Sequence, residues 1–470
     1  MVGVEIDPWG VGVAGIKTKD YMRLFEEFGI SPFKELLDGR RSRIKKPHLY
    51  MRRGVIVGHR GYEEVLRAMQ EEQEEQEEER RKFAVMSGFM PSGRIHLGGK
   101  MVMDEIIWHQ QRGGDAFACI ADLESHSVRG VPWSKCKEVG VNEYILSLVA
   151  LGFDPERGHI YFQSENRRLQ DLAFELGTEV NFSELSAIYG FSGEVCVSHL
   201  TSVVVQNADI LQPQLPEYGG PKPVVIPVGV DQDPHIRLTR DIASRMRMFR
   251  VEKRWDKNQK PFVSVRQKQA NKAGRDALEE VARRTEGPKK IYEMHLDIFG
   301  VGAETGVVED EIDRRVREVE ETVRAVELEF GGYGFFLPSA TYHKFMQGLT
   351  GGKMSSSVPE SYIALTEPPE EAARKVKRAK TGGRVTVAEQ KRLGGSPEEC
   401  TVFELLVSHL VEEDARVQEI FEACKDGRRV CSACKSEAAE QMFSFIKRHQ
   451  EERERAKEVL REHEIYKEWL

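Results

Sequence analysis

Between Lys82 and Asp122 the chain switches between two hydrophobic periodicities, and this constrains its fold more than any other feature. Phe83-Ala84-Val85-Met86 is an unbroken apolar run, which predicts a short strand buried on both faces. It leads straight into the turn residues Ser87, Gly88, Pro91, Ser92 and Gly93. A helix is predicted from about Gly98 to Gln111, with Met101, Ile106 and Trp108 as buried positions. A second apolar strand, Asp115 to Asp122, ends in an acid. Strand, glycine-rich turn, helix, strand is the pattern of a parallel α/β sheet, in which ligands bind at the carboxyl ends of the strands near the topological switch. His96, Asp122 and Glu124 fall at that edge. Val224 to Val230, an apolar run ahead of Asp231, repeats the arrangement.

At 470 residues two or three domains are expected. Residues 1–68 read as a small α/β extension, with helical periodicity over Tyr21–Phe28 and a short strand at Val55–Val57. The polar block Glu71–Arg81 lies in a charged linker, 69–81. A nucleotide-binding domain is expected over 82–360, interrupted at about 251–331 by a charged helical insertion containing one amphipathic helix, Glu309–Glu329. A helical domain is expected over 361–470. The formal charge of −8 argues against a general coat of nucleic acid but leaves room for local basic patches. No apolar run approaches the length of a membrane span, and MVGVEIDPWG lacks the layout of a signal peptide, so a cytoplasmic location is the expectation.

Two strings carry phosphate chemistry. In PSGRIHLGGK, Gly93, Gly98 and Gly99 let a nucleotide approach backbone, the helix start offers unpaired N–H groups, and His96 supplies a directed donor. Alone, it fits an ordinary turn before a helix equally well. In TGGKMSSS, Lys353 could reach departing pyrophosphate, and Ser355, Ser356 and Ser357 could donate to the same oxygens. This is not a P-loop, because Met354 follows the lysine where Ser or Thr must stand; a plain Gly/Ser loop remains the alternative. A third string, GVDQDPHIRLTRD from Gly229 to Asp241, lies between them.

In this order the strings resemble the HIGH and KMSKS signatures of class I aminoacyl-tRNA synthetases, and the third narrows the likeness to the archaeal-type tryptophanyl branch. The resemblance implies a doubly wound Rossmann-like (HUP) α/β fold with a C-terminal α-helical anticodon-binding domain. It also implies ATP and Mg²⁺ as cofactors, L-tryptophan and tRNA(Trp) as partners, and a homodimer. It assigns ATP contacts to Gly93, His96, Gly98, Gly99, Asp231, Lys353, Met354 and Ser355, with His96, Lys353, Ser355 and Ser356 in catalysis. Asp209 takes the role of indole-reading carboxylate, and Gln206 and Gln232 grip the amino and carboxylate groups. Glu124 matches a family acid lining the pocket. The chain departs at Gly99, where the family has a second histidine, and at Ser356, where it often has a lysine. Met86 and Cys119 stand where eukaryotic members place tyrosine and glutamine, which leaves the completion of the indole pocket open.

Tyrosyl-tRNA synthetase is the rival reading, since its archaeal form shares the Gln206-to-Asp209 spacing. A nucleotidyltransferase acting on something other than tRNA, or an inactive synthetase-like binding protein, would also fit parts of the pattern. Lys375, Lys377, Arg378, Lys380 and Arg384 form a basic run that could touch a tRNA backbone or face solvent. Cys400, Cys424, Cys431 and Cys434, spaced C-x(23)-C-x(6)-C-x(2)-C, suit zinc or an iron–sulfur cluster, or are free thiols. Some bacterial members with nearly this spacing bind a [4Fe–4S] cluster there.

Overall fold

The structure, a computed structural model, describes residues 25, 28–38, 44–74, 81–300, 308–352, 354, 358–463 and 466–469. Eleven strands are described: β1 (Ser31–Pro32), β2 (Ile56–Arg60), β3 (Ala84–Phe89), β4 (Asp115–Ile120), β5 (Gly158–Phe162), β6 (Val224–Gly229), β7 (Phe249–Trp255), β8 (Pro261–Gln267), β9 (Lys289–Ile291), β10 (His295–Ile298) and β11 (Ser339–His343). The main sheet has the order β1-β2-β11-β6-β3-β4-β5. From β11 to β5 all neighbours are parallel, so the chain reverses its direction of travel between β3 and β6. That is the doubly wound topology, with its switch point at β3/β6.

Alternate residues of β3 and β4 enter different cores, as a strand buried on both faces requires. Phe83, Val85, Ala116 and Ala118 pack in one cluster with Met103 and Ile106 of the helix that follows β3. Ala84, Met86, Phe117 and Cys119 pack in another with Ile210 and Ile236. The helices concerned are α1 (Tyr62–Glu74), α2 (Leu97–Gln110), α3 (Asp122–Arg129), α4 (Val197–Leu211) and α5 (Asp233–Met246). Met101, Ile106 and Trp108 of α2 are buried as the periodicity predicts.

The N-terminal segment joins the main sheet: β2 pairs antiparallel with β11, and Lys344 N–H donates to the Val55 carbonyl. Of the helix expected over Tyr21–Phe28, only Phe25 and Phe28 are described. α1 carries the chain through Glu74 into the block expected as linker; 75–80 lie outside the described residues.

The insertion corrects the expectation of a helical segment. It holds a four-stranded antiparallel sheet, β7-β8-β10-β9, together with α6 (Lys272–Arg284) and α7 (Val308–Glu329). Val263, Val265, Leu296 and Ile298 pack against Leu278, Val281, Val319, Val323 and Val326. Charged residues on the other side of each strand dilute the period-two signal, which is why composition alone reads as helix. The C-terminal part is helical, with α8 (Pro369–Arg378) packed on the 32-residue α9 (Cys431–Glu462). No helix among the described residues is long and apolar enough to cross a membrane.

Candidate active site

A cavity of about 290 Å³ opens at the carboxyl edge of the sheet, beside the β3/β6 switch point. Its wall includes Met86 and Gly88 from β3, Glu124 from α3, Gln206 and Asp209 from α4, and Asp231 and Gln232 after β6. Thus five of the polar residues singled out in the sequence share one space. Gln206 and Asp209, three apart on α4, present to the same side because a helix brings such positions onto one face.

Asp209 is only 2% exposed. Its carboxylate accepts from the Tyr161 hydroxyl at 2.8 Å and from Gln163 Nε2 at 2.6 Å. Burial pushes its pKa up to about 7, against the pull of the bonds from Gln163, Tyr161 and the Cys119 thiol. Glu124 is also raised to about 7, first by burial and then by the Asp209 charge, with Arg129 opposing. Gln206 donates to Gln232 Oε1 at 3.4 Å, and Gln232 donates to Asp231 at 3.2 Å. The Oε1 atoms of Gln206 and Gln163 are buried without a hydrogen-bond partner. A buried acceptor left open is costly, and two of them on one cavity wall (Gln163 also lines it) mark a place where a donor-rich ligand would bind.

Sequence reasoning missed Tyr161 and Gln163. Both come from β5 and the turn after it, and residues two apart at a strand's end face the same way. Near Met86 and Cys119, Tyr161 of β5 and Gln163 of the turn after it bring a phenol and an amide to Asp209. The signal available was a Tyr-x-Gln at the end of an apolar run.

His96 caps α2, its Nδ1 accepting from the Gly98 N–H at 3.1 Å. This fixes the neutral tautomer with the proton on Nε2, and burial lowers the ring's pKa and keeps it neutral. A Cβ on Gly99 would come within 2.3 Å of Ile95 Cδ1, so any side chain there displaces Ile95. Around Gly93 there is open space.

The two phosphate-reading strings meet through the chain that follows the second. Leu97 N–H donates to the Ile363 carbonyl and Leu365 N–H to that of Ile95, and the His96 ring lies 5.6 Å from Tyr362. Leu349 N–H donates to the Ser361 carbonyl, closing the base of the intervening loop. Gly98 and Met354 are half-buried; Lys353, Ser355, Ser356 and Ser357 lie outside the described residues.

In the helical part, Cys400, Cys424, Cys431 and Cys434 line one small cavity. A Cβ on Gly383 would sit 2.4 Å from Cys431 Sγ, and one on Gly395 2.9 Å from Cys424 Sγ, so glycines make the room for these sulfurs. Burial and the neighbouring thiols push Cys424 up to about 11, a charge conflict that a bound cation would relieve. Among the described residues no three His, Cys, Asp or Glu side chains converge as ligands of a single ion. Lys375 of the basic run is buried, bonded to Glu367 at 2.5 Å and to the Tyr362 carbonyl, and is not available to RNA; Lys377, Arg378, Lys380 and Arg384 are exposed.

A doubly wound sheet with a histidine-capped helix beside its switch point is the architecture expected of a class I synthetase. The pattern of the tRNA synthetases class I (W and Y) matches residues 78–266 and 315–447, leaving out the core of the insertion. The chain belongs to that family. It is 55% identical to the tryptophan–tRNA ligase of Methanosarcina acetivorans over 98% of each chain. It is 50% identical to that of Archaeoglobus fulgidus, covering 96% of this chain and 97% of the relative. The crystal structure of tryptophanyl-tRNA synthetase from Aeropyrum pernix K1 superimposes with a TM-score of 0.69 at 35% identity, covering 96% of this chain and 97% of that one.

Proposed function

We propose that this protein ligates L-tryptophan to tRNA(Trp). With ATP and Mg²⁺ it forms tryptophanyl-adenylate and pyrophosphate, then passes the acyl group to the terminal adenosine of the tRNA and releases AMP. The observation that carries this reading is the buried Asp209 carboxylate, held by Tyr161 and Gln163 at the wall of a cavity that Met86, Ile210 and Ile226 also line. A carboxylate has lone pairs to spare beyond those two donors, and the indole N–H is the one polar handle on the tryptophan side chain.

In this reading the open oxygens of Gln206 and Gln163, with Glu124, receive the α-ammonium, and Gln232 Nε2 serves the carboxylate. Asp231 takes the ribose side of the nucleotide. The His96 Nε2–H donates to a phosphate oxygen, while Gly98 and Gly99 let backbone approach the nucleotide. Lys353, from the loop whose base lies beside His96, offsets charge on the departing pyrophosphate, and Ser355 and Ser356 donate to its oxygens. Mg²⁺ supplies further charge neutralisation on the phosphates. No covalent enzyme intermediate is required; positioning and phosphate electrostatics suffice.

The helical part takes the anticodon, the enzyme acts as a cytoplasmic homodimer, and the four cysteines hold a metal centre, a [4Fe–4S] cluster ahead of zinc, since a Cys₄ shell suits both. Amino-acid-dependent ATP–pyrophosphate exchange tests the central reading. Exchange with tryptophan and not tyrosine is expected; exchange with tyrosine alone would overturn the substrate, and exchange with neither would overturn the activity.

A further inference from the structure

The inserted sheet segregates charge. The chain as a whole carries −8, yet Phe249–Lys272 holds eight Lys and Arg against only Glu252 and Asp256. In the β7–β8 register Arg250 lies opposite Arg266 and Arg254 opposite Phe262. Further along the sheet Arg266 lies opposite His295, and Asp297 opposite Lys290. Directly opposed side chains project from the same face, so Arg250, Arg254, Arg266, Lys290 and Phe262 share one side. The other side, with Val263, Val265 and Leu296, is the one packed beneath α6 and α7.

Three of these arginines share a single carboxylate. Glu252 lies 2.7 Å from Arg250, 3.3 Å from Arg254 and 4.0 Å from Arg266. One negative charge cannot neutralise three guanidiniums, and Arg266 Nε is buried with no hydrogen-bond partner. Asp297 is bonded to Ser264. Forked donors with surplus charge, set around the half-buried Phe262 ring on a β-surface, match the phosphate backbone of a nucleic acid.

We propose that this face of the inserted sheet is an RNA-binding surface, its arginines taking phosphates and Phe262 offering stacking. That the RNA is the tRNA substrate rests on the function proposed above. α5 returns the chain from the end of β6 to the amino edge of the parallel strands, and β11 starts from there, so the insertion lies at the opposite edge from the amino-acid cavity. The contact therefore adds RNA affinity without touching the chemistry of activation.

The test is fluorescence-anisotropy binding of the full chain to a tRNA(Trp) transcript and to a short unrelated single-stranded RNA over a salt series. The triple variant Arg250→Ser, Arg254→Ser, Arg266→Ser should weaken tRNA binding roughly tenfold or more and lower the log–log salt slope by about 2–3, since each lost phosphate contact removes about 0.7–0.9. Its tryptophan-dependent pyrophosphate exchange, which needs no RNA, should be unchanged. Glu252→Gln, which frees the arginines, should tighten binding. Equal effects on both RNAs would identify a general backbone contact, and effects on tRNA(Trp) alone a specific one; either supports the proposal. Unchanged affinity and slope in the triple variant, or no tightening in Glu252→Gln, overturns it. Absence of exchange in the unsubstituted protein would instead overturn the ligase reading.

Discussion

Glu105 on α2 and His343 on β11 are joined by a buried hydrogen bond of 2.5 Å, the imidazole Nε2–H donating to the carboxylate. The second Glu105 oxygen accepts from Thr341 at the same distance, and the side chain is fully buried. Burial opposes its charge, but the His343 contact and the Thr341 bond hold its pKa below the usual carboxylate range. This one residue ties the helix that starts at His96 to the strand that leads into the lysine loop.

Glu105→Ala should therefore destabilise the protein by about 3–5 kcal/mol, because it strands buried polar partners. Urea unfolding measures this. Glu105→Gln, which keeps a donor-acceptor group of the same shape, should recover part of the loss. Equal losses in both variants would show that shape contributes nothing.

Asp209→Ala should lower kcat/KM for tryptophan in pyrophosphate exchange by more than about 100-fold, since buried sites built around one polar handle depend on it strongly. The KM for ATP should change little, because Asp209 lines the amino-acid cavity and not the turn at His96. A tryptophan analogue whose ring N–H is replaced by sulfur should be rejected by the parent protein and discriminated far less by the variant. Retained discrimination would mean another group reads the indole.

Glu124 and Asp209 are both held at about 7 in the folded protein. Between about pH 4 and pH 7 the folded state keeps protons on these groups that the unfolded chain has released. Their contribution to stability is thus full at low pH and is lost as pH rises through that window. The ligand-free Glu124→Gln protein should lose less melting temperature than the parent from pH 5 to pH 7.5, values chosen to bracket the transition. Parallel declines would remove Glu124 from the account.

Anaerobic purification with iron should give a brown protein with broad visible absorption, and Cys431→Ser should abolish the colour. Chelation of the cluster should lower the melting temperature of the helical part. A colourless parent protein with no bound iron would leave the four thiols as packing groups between Gly383 and Gly395.

The parallel sheet was legible from Phe83 onward because strands buried on both faces leave unbroken apolar runs. The helix start at His96 was legible because its signal is local, whereas Gln206 and Asp209 were singled out through the family resemblance, and the structure places both on the cavity wall. The inserted sheet was not, because one of its faces is paved with Arg250, Arg254, Arg266 and Lys290, and a charged stretch reads as solvated helix.

Sequence by itself determined the strand–turn–helix–strand unit from Phe83 to Asp122, the helical C-terminal part, and the family to which the chain belongs. Only the tertiary structure decided that Tyr161 and Gln163 hold Asp209, that Glu105 joins α2 to β11, and that Lys375 is lost to Glu367. The partners in those bonds lie 8 to 238 residues apart along the chain. Local propensity and periodicity act over a few turns of helix or a few residues of strand, whereas such contacts are set by which faces pack together.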